Sequence, residues 1–304
     1  MTKRSNIAAS VHQRLLNRAR KESRPFNELL QRFVNERFLH RLSKSPNEET
    51  FVLKGALMFG IWGGPGSRPT MDIDLLGSGV VNSRDRIVSA LKAICEVEVE
   101  PDGVLFDPTS VTATRITEGA EHEGVRGRLR GKLGNTRMTL QIDIAFGDIV
   151  TPGPVRIVYP ALLEFPVSEL NGYTRESTIA EKLQAMVKLG ELNSRMKDFY
   201  DLVALSRACD FRGSVLAEAI RKTFTARKTS IPPNFDALIH ALASDPNKQR
   251  QWEAFLTKSQ LVDSPRDFVD AVSEIRDFLE PVIRNLCEGR KFRGTWEAPG
   301  PWKA

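Results

Sequence analysis

The chain has 304 residues, 41% hydrophobic and 27% charged, a balance that fits a folded globular protein and excludes a disordered or collagen-like one. Its 44 Lys and Arg against 38 Asp and Glu leave a formal charge of +6, which favours an anionic partner such as nucleic acid or nucleotide without requiring one. Three scattered cysteines, Cys95, Cys209 and Cys287, exclude a disulfide framework or a zinc knuckle, and no apolar run is long enough to span a bilayer, so a reducing cytoplasm and no membrane are expected.

Residues 6–42 read as two helices. Ile7, Val11, Leu15 and Ala19 recur at helical spacing, and so do Leu29, Leu30, Phe33, Val34, Phe38 and Leu42 after Arg24-Pro25. From Phe51 to about Pro166 the texture changes. A short apolar run, Phe51-Val52-Leu53, leads to Gly55 and a short helix, and Gly63 to Gly66 form a loop. Met71 to Leu76 alternates apolar and acidic residues as a strand does, and Ser83 to Cys95 is helix-like. Further strands are expected at 96–100, 104–106, 111–116, 126–132 and 137–146. Together they make a mixed or mostly antiparallel sheet flanked by helices rather than a βαβ repeat. Residues 177–287 read as helical, broken near Pro232-Pro233 and Asp245-Pro246, and the basic tail from Gly289 is expected to be loosely ordered.

The chemistry centres on Asp72-Ile73-Asp74. On a strand, i and i+2 face one way, so two carboxylates lie side by side and repel unless a cation sits between them. Hard oxygen donors of this kind suit Mg²⁺. Ile73 and Leu75 point the other way, into a core. An exposed edge strand with solvated acids is the competing account, and it is the better one for an isolated pair. Three neighbours change the balance. Gly55 follows an apolar strand at the mouth of a helix, where backbone N–H groups approach phosphate. Asp143 again sets an acid in an apolar strand, with Leu140, Ile142 and Ile144 on the opposite face. In the helical half, Lys182 falls inside the apolar arc with Met186 and Leu189, and Asp198 and Asp201 share a face with Leu202 and Leu205. Acids on a buried face need a cation, whether Lys182, Arg195 or a metal. A structural ion pair between two helices satisfies the same pattern. Two basic clusters, Arg14, Arg18, Arg20 and Lys21, then Arg221, Lys222, Arg227 and Lys228, are candidate tracks for a phosphate backbone or simply solvated helix faces.

Four segments in order, 51–56 (Phe-Val-Leu-Lys-Gly-Ala), 68–76 (Arg-Pro-Thr-Met-Asp-Ile-Asp-Leu-Leu), 181–185 (Glu-Lys-Leu-Gln-Ala) and 195–202 (Arg-Met-Lys-Asp-Phe-Tyr-Asp-Leu), resemble the AbiEii/AbiGii family of nucleotidyltransferase toxins, within the DNA polymerase β-like superfamily. The resemblance implies an α+β fold: an N-terminal helical segment (1–50) packing on the core, a nucleotidyltransferase-type mixed sheet (51–175), a helical domain completing the cleft (176–289) and a basic tail (290–304). It implies the toxin of a toxin–antitoxin or phage-defence pair, with a cognate antitoxin. Such an enzyme transfers a nucleotide from a nucleoside triphosphate with Mg²⁺ to RNA, notably a tRNA 3′ end. Asp72 and Asp74 would bind metal, with Asp143 as a less closely matched third carboxylate. Lys182 would contact the triphosphate, and Asp198 would be the essential acid. Lys54, Gly55, Ser67 and Arg68 would complete the nucleotide grip. The chain departs from the superfamily at Ala56, which stands where Ser or Gly is usual and offers no hydroxyl to phosphate. Transfer to a small molecule or protein side chain, a non-catalytic nucleotide- or RNA-binding module, and a metal-dependent nuclease are the rival readings.

Overall fold

The structure is a computed structural model that describes residues 3–63, 70–79, 82–118, 122–261 and 264–304. Two compact units emerge. The first runs through α1 (Lys3–Glu22), α2 (Phe26–Leu42), β1 (Phe51–Lys54), a 3-10 turn (Gly55–Met58), the one-turn α3 (Phe59–Trp62), β2 (Ile73–Gly77), α4 (Arg84–Cys95), β3 (Val104–Glu118), β4 (His122–Leu133), β5 (Thr136–Phe146), β6 (Val155–Tyr159) and β7 (Ser168–Gly172).

Its seven strands form one mixed sheet in the order β3-β4-β5-β2-β1-β7-β6. The β2–β5 and β1–β7 pairs are parallel and the rest antiparallel. This is the mixed, helix-flanked sheet expected from sequence. One face carries the core: Ile73, Leu75, Ile142 and Ile144 are buried, with Leu91 of α4 over Gly127 and Phe38 of α2 edge-on to Phe106 of β3 at 5.7 Å. Helix α1 buries Val11, Leu15 and Ala19 at the predicted spacing. Helix α2 is buried almost throughout, and its buried Glu36, Arg37 and Arg41 are paired. Arg41 makes a bidentate pair with Asp102 (2.8 and 3.2 Å), and Glu36 pairs with Arg37 and accepts a hydrogen bond from the Leu162 amide. Burial still pushes the Glu36 carboxyl up, against the pull of Arg37.

Several local expectations need correction. Residues 96–100 form no strand; alternation of Glu and Val there has no partner ladder, and the chain turns instead toward the buried Asp102. The two short strands expected at 104–106 and 111–116 are one, β3, which passes Pro108 at a register shift between Asp107 and Thr112. Pro is tolerated there because β3 lies at the sheet edge. Strands β6 and β7 went unforeseen, being short and only half apolar.

The second unit runs from Tyr173 to Ala304 and also includes Asp148–Pro154 and, at the end of α3, Trp62. It contains α5 (Arg175–Leu189), α6 (Met196–Ala208), β8 (Phe211–Arg212), α7 (Gly213–Ala226), α8 (Phe235–Ser244), α9 (Pro246–Ser259), α10 (Phe268–Cys287), β9 (Thr295–Trp296) and β10 (Trp302–Lys303). Asp245 caps α9 through the Asn247 amide, with Pro246 in the first turn, where a missing N–H costs nothing. Helix α10 buries Ala271, Val272, Ile275, Phe278, Leu279, Val282 and Ile283 on a continuous stripe. The tail is not loose. Trp296 and Trp302 pack on Phe278, and their indole N–H groups donate to Ser206 and Phe278 carbonyls at 2.7 Å each. Aromatic area outweighs the Gly, Pro and Lys that suggested disorder.

Candidate active site

In the first unit the sheet lines up a row of charged residues. Lys54 of β1 is the register partner of Asp74, Asp74 of Asp143, and Asp143 of Arg126. These positions face away from the core that holds Ile73, Leu75, Ile142 and Ile144, because neighbouring residues alternate across a strand. Asp72 differs from expectation. Strand β2 begins at Ile73, so Asp72 stands in the bend before it, where Asn35 of α2 donates to the Met71 carbonyl at 3.1 Å.

Gly55 closes the row on one side. It sits at φ +72°, and a Cβ there would lie 2.1 Å from Asp74 Oδ2. Glycine at this point makes room for the Asp74 carboxylate, a tighter requirement than the phosphate approach suggested by sequence. The 3-10 turn and single α turn that follow are too short to supply a helix dipole of consequence.

Arg126 closes the other side. Its Nε and Nη2 donate to the two Asp143 oxygens at 2.8 Å each, and Gln141 reaches Asp143 Oδ2 at 3.5 Å. Sequence reading missed Arg126. The signal was available: Arg126, Arg128, Arg130 and Lys132 alternate with small and apolar residues, so Arg126 had to face the same way as any acid opposite it.

The row's fit to a divalent cation rests on its donor chemistry. Asp74 and Asp143 lie side by side with Asp72 two residues upstream, all hard oxygen donors. Among the described residues no three metal-ligating side chains converge. Mg²⁺ needs only one or two carboxylates when phosphates and water complete its shell. Asp72 and Asp74 fit that requirement; Asp143 fits less directly, since Arg126 holds both its oxygens. Ser67 and Arg68 lie outside the described residues.

The second unit gathers the other predicted residues. Lys182 of α5 places Nζ 2.9 Å from Asp198 Oδ1 and 2.7 Å from Asp201 Oδ2 of α6, and Arg195 Nε lies 3.5 Å from Asp198 Oδ2. The ion pair between helices that the sequence pattern allowed is thus present. Burial opposes the charge on Asp198, but the Lys182 ammonium, its hydrogen bond and Arg195 outweigh it and hold the carboxyl below the usual range. Beside it, Arg227 bridges Asp148 at 2.7 Å and Glu181 at 3.3 Å and donates to Gln184, while Tyr173 donates to Glu181. Burial alone would lower the Arg227 pKa; the carboxylates of Glu181 and Asp148 reverse that and raise it.

Ion pairs also engage much of the two basic clusters. Arg227 is internal, Arg221 and Lys222 both pair with Glu218, Arg14 pairs with Glu164, and Arg18 with Glu22. Among the described residues neither helix offers the unbroken positive track that its sequence suggested.

A family model described as nucleotidyl transferase AbiEii toxin, type IV TA system, matches residues 37–274. The chain belongs to the AbiEii nucleotidyltransferase toxin family. The match spans both charged groups, from the buried ion pairs of α2 to Glu274 of α10. Membership brings a nucleotide substrate and an antitoxin partner with it. No curated protein matches the chain. Two crystal structures from Helicobacter pylori resemble it. JHP933 is 16% identical, covers 86% of this chain and 94% of its own, and has a TM-score of 0.42. A second H. pylori protein, whose given name is that of a nucleotidyltransferase, is 15% identical, covers 88% and 99%, and has a TM-score of 0.44. Likenesses this distant bear on neither the acting residues nor the acceptor. No helix among the described residues is long and apolar enough to cross a membrane.

Proposed function

We propose that this AbiEii-family chain uses a nucleoside triphosphate and Mg²⁺ to transfer a nucleotide to RNA, with a tRNA 3′ end as acceptor and a block of translation as the consequence. The observation that carries the proposal is the in-register Asp74–Asp143 pair, with Gly55 leaving space for one carboxylate and Arg126 gripping the other.

In this reading the acceptor hydroxyl attacks the α-phosphorus and pyrophosphate leaves. Asp72 and Asp74 hold the cation, which when bound neutralises charge on the phosphates and makes the hydroxyl a better nucleophile. Asp143 serves as the third carboxylate of the set and is the candidate to take the hydroxyl proton, while Arg126 keeps it in place. Lys54 and Gly55 flank the phosphates from β1, and Ser67 and Arg68 are assigned to the same grip. Lys182 is assigned to the triphosphate and Asp198 to the essential acid; the carboxylates of Asp198 and Asp201 fix the position of the ammonium. A backbone grip at Gly55 is consistent with Ala56, which brings no hydroxyl.

The test is incubation of the folded protein with each labelled nucleoside triphosphate, Mg²⁺ and total tRNA. Lengthened, labelled RNA with at least one nucleotide supports the proposal. No transfer with any of the four, or shortened RNA, rejects it.

A further inference from the structure

Strand β4 is basic at every second residue: Arg126, Arg128, Arg130 and Lys132. The residues between them, from Val125 to Leu133, are buried, and Leu91 of α4 packs over Gly127. Strand alternation therefore sets all four cations on the opposite face. Arg128, Arg130 and Lys132 are exposed there, and Arg137 of β5, the register partner of Lys132, joins them. Among the described residues, Asp143 pairs with Arg126 and Asp107 with Arg130. The intervening register partners, Thr112, Thr114, Thr139 and Gln141, are neutral hydrogen-bonding groups.

This surface does little for stability. Like charges on one strand face repel, and exposed pairs such as Arg130–Asp107 contribute little. Its spacing suits a polyanion. Alternate residues on a strand are about 6.7 Å apart, so the four cations span about 20 Å, the length of about six stacked nucleotides. It also has a direction. Arg126, at one end, grips Asp143, the neighbour of Asp74, so the stripe runs into the carboxylate row. In the two helical clusters Arg14, Arg18, Arg221, Lys222 and Arg227 all have acidic partners; in this stripe, which sequence reading passed over as a plain strand, exposed cations outnumber the acids paired with them among the described residues.

We propose that the exposed face of β4 binds the sugar–phosphate backbone of the RNA acceptor and leads its reactive end to Asp74 and Asp143. The direction of travel rests on the nucleotidyl-transfer reading; the binding does not.

The test uses the full chain and a fluorescently labelled single-stranded RNA oligonucleotide, first without nucleotide or divalent ion. For R128Q/R130Q/K132Q the expected result is a Kd weakened at least tenfold, with the slope of log K against log salt reduced by about two. R128K/R130K should stay within threefold of the parent, as should R20Q/K21Q on α1. Unchanged melting temperatures exclude misfolding as the cause. Parent protein that does not bind RNA, a triple variant that binds within twofold of it, or an equal loss in the α1 variant overturns the proposal. Label transfer measured in parallel separates the two readings. Stripe-dependent binding without transfer removes the reaction and keeps the surface. Transfer by the triple variant with an unchanged RNA KM removes the surface and keeps the reaction.

Discussion

The Asp74 carboxylate occupies the space that a side chain at Gly55 would need, with 2.1 Å between Oδ2 and the Cβ that glycine lacks. The two residues come from antiparallel neighbours, β2 and the turn after β1, so the carboxylate and the glycine define each other's position.

Gly55→Ala therefore meets two costs. A positive φ is unfavourable for alanine, and the methyl must displace Asp74. Loss of about 2 kcal/mol or more of stability is expected, read by denaturant unfolding, together with loss of transfer activity. A variant within about 0.5 kcal/mol of the parent and fully active would show that Asp74 moves aside freely.

Asp72→Asn and Asp74→Asn keep the shape and remove the charge. Each is expected to lower transfer by at least about a hundredfold while leaving the fold intact by circular dichroism. Activity within a few-fold of the parent in both would remove the metal assignment.

Arg126→Gln tests the other end of the row. Asp143 then lies beside Asp74 without its guanidinium, at a cost of about 1–2 kcal/mol. Mg²⁺ should restore more of the lost melting temperature in this variant than it adds to the parent. Equal response of the two proteins to Mg²⁺ and EDTA would mean that no cation binds there.

Lys182→Met removes the ammonium that Asp198 and Asp201 share, leaving Asp198 only the longer contact with Arg195, and should cost about 3–5 kcal/mol near neutral pH. The pH dependence has a defined sign. The folded Asp198 carboxyl lies below its ordinary value, so between the two values the unfolded chain binds the extra proton and stability rises with pH. That contribution is full above the ordinary carboxylate range and lost as pH falls through the folded value. In Asp198→Asn this acid-side component should disappear from urea-unfolding measurements across pH; an unaltered acid limb would contradict the pairing.

Trp296→Ala removes a buried indole and its hydrogen bond to the Ser206 carbonyl. A loss of about 3–5 kcal/mol is expected in thermal or denaturant unfolding. A neutral result would return the tail to the loosely ordered segment that its composition suggested.

Much was readable along the chain because it depended on local period. Alternation in 71–76 and 137–146 placed Ile73, Leu75, Leu140, Ile142 and Ile144 in the core and left the acids on the other face. Helical period grouped Asp198 with Asp201 and Lys182 with Met186, though Leu189, placed in the same arc, is exposed. The same regularities misled where a partner was missing or unforeseen: 96–100 alternates but meets no ladder, and 290–304 lacks period but carries two tryptophans.

The sequence by itself thus determined which residues face together, since strand and helix repeats are properties of the backbone. It could not determine which strands are neighbours. Only tertiary structure set β2 beside β5 in parallel, and so Asp74 beside Asp143, because pairing of distant strands depends on closing long loops around a common core. The same pairing brought Arg126 to Asp143 and turned an unremarked alternating strand into a basic stripe. For Asp72-Ile73-Asp74, local pattern supplied two acids and a buried isoleucine; the surrounding sheet began the strand at Ile73, gave Asp74 its glycine and gave Asp143 its arginine.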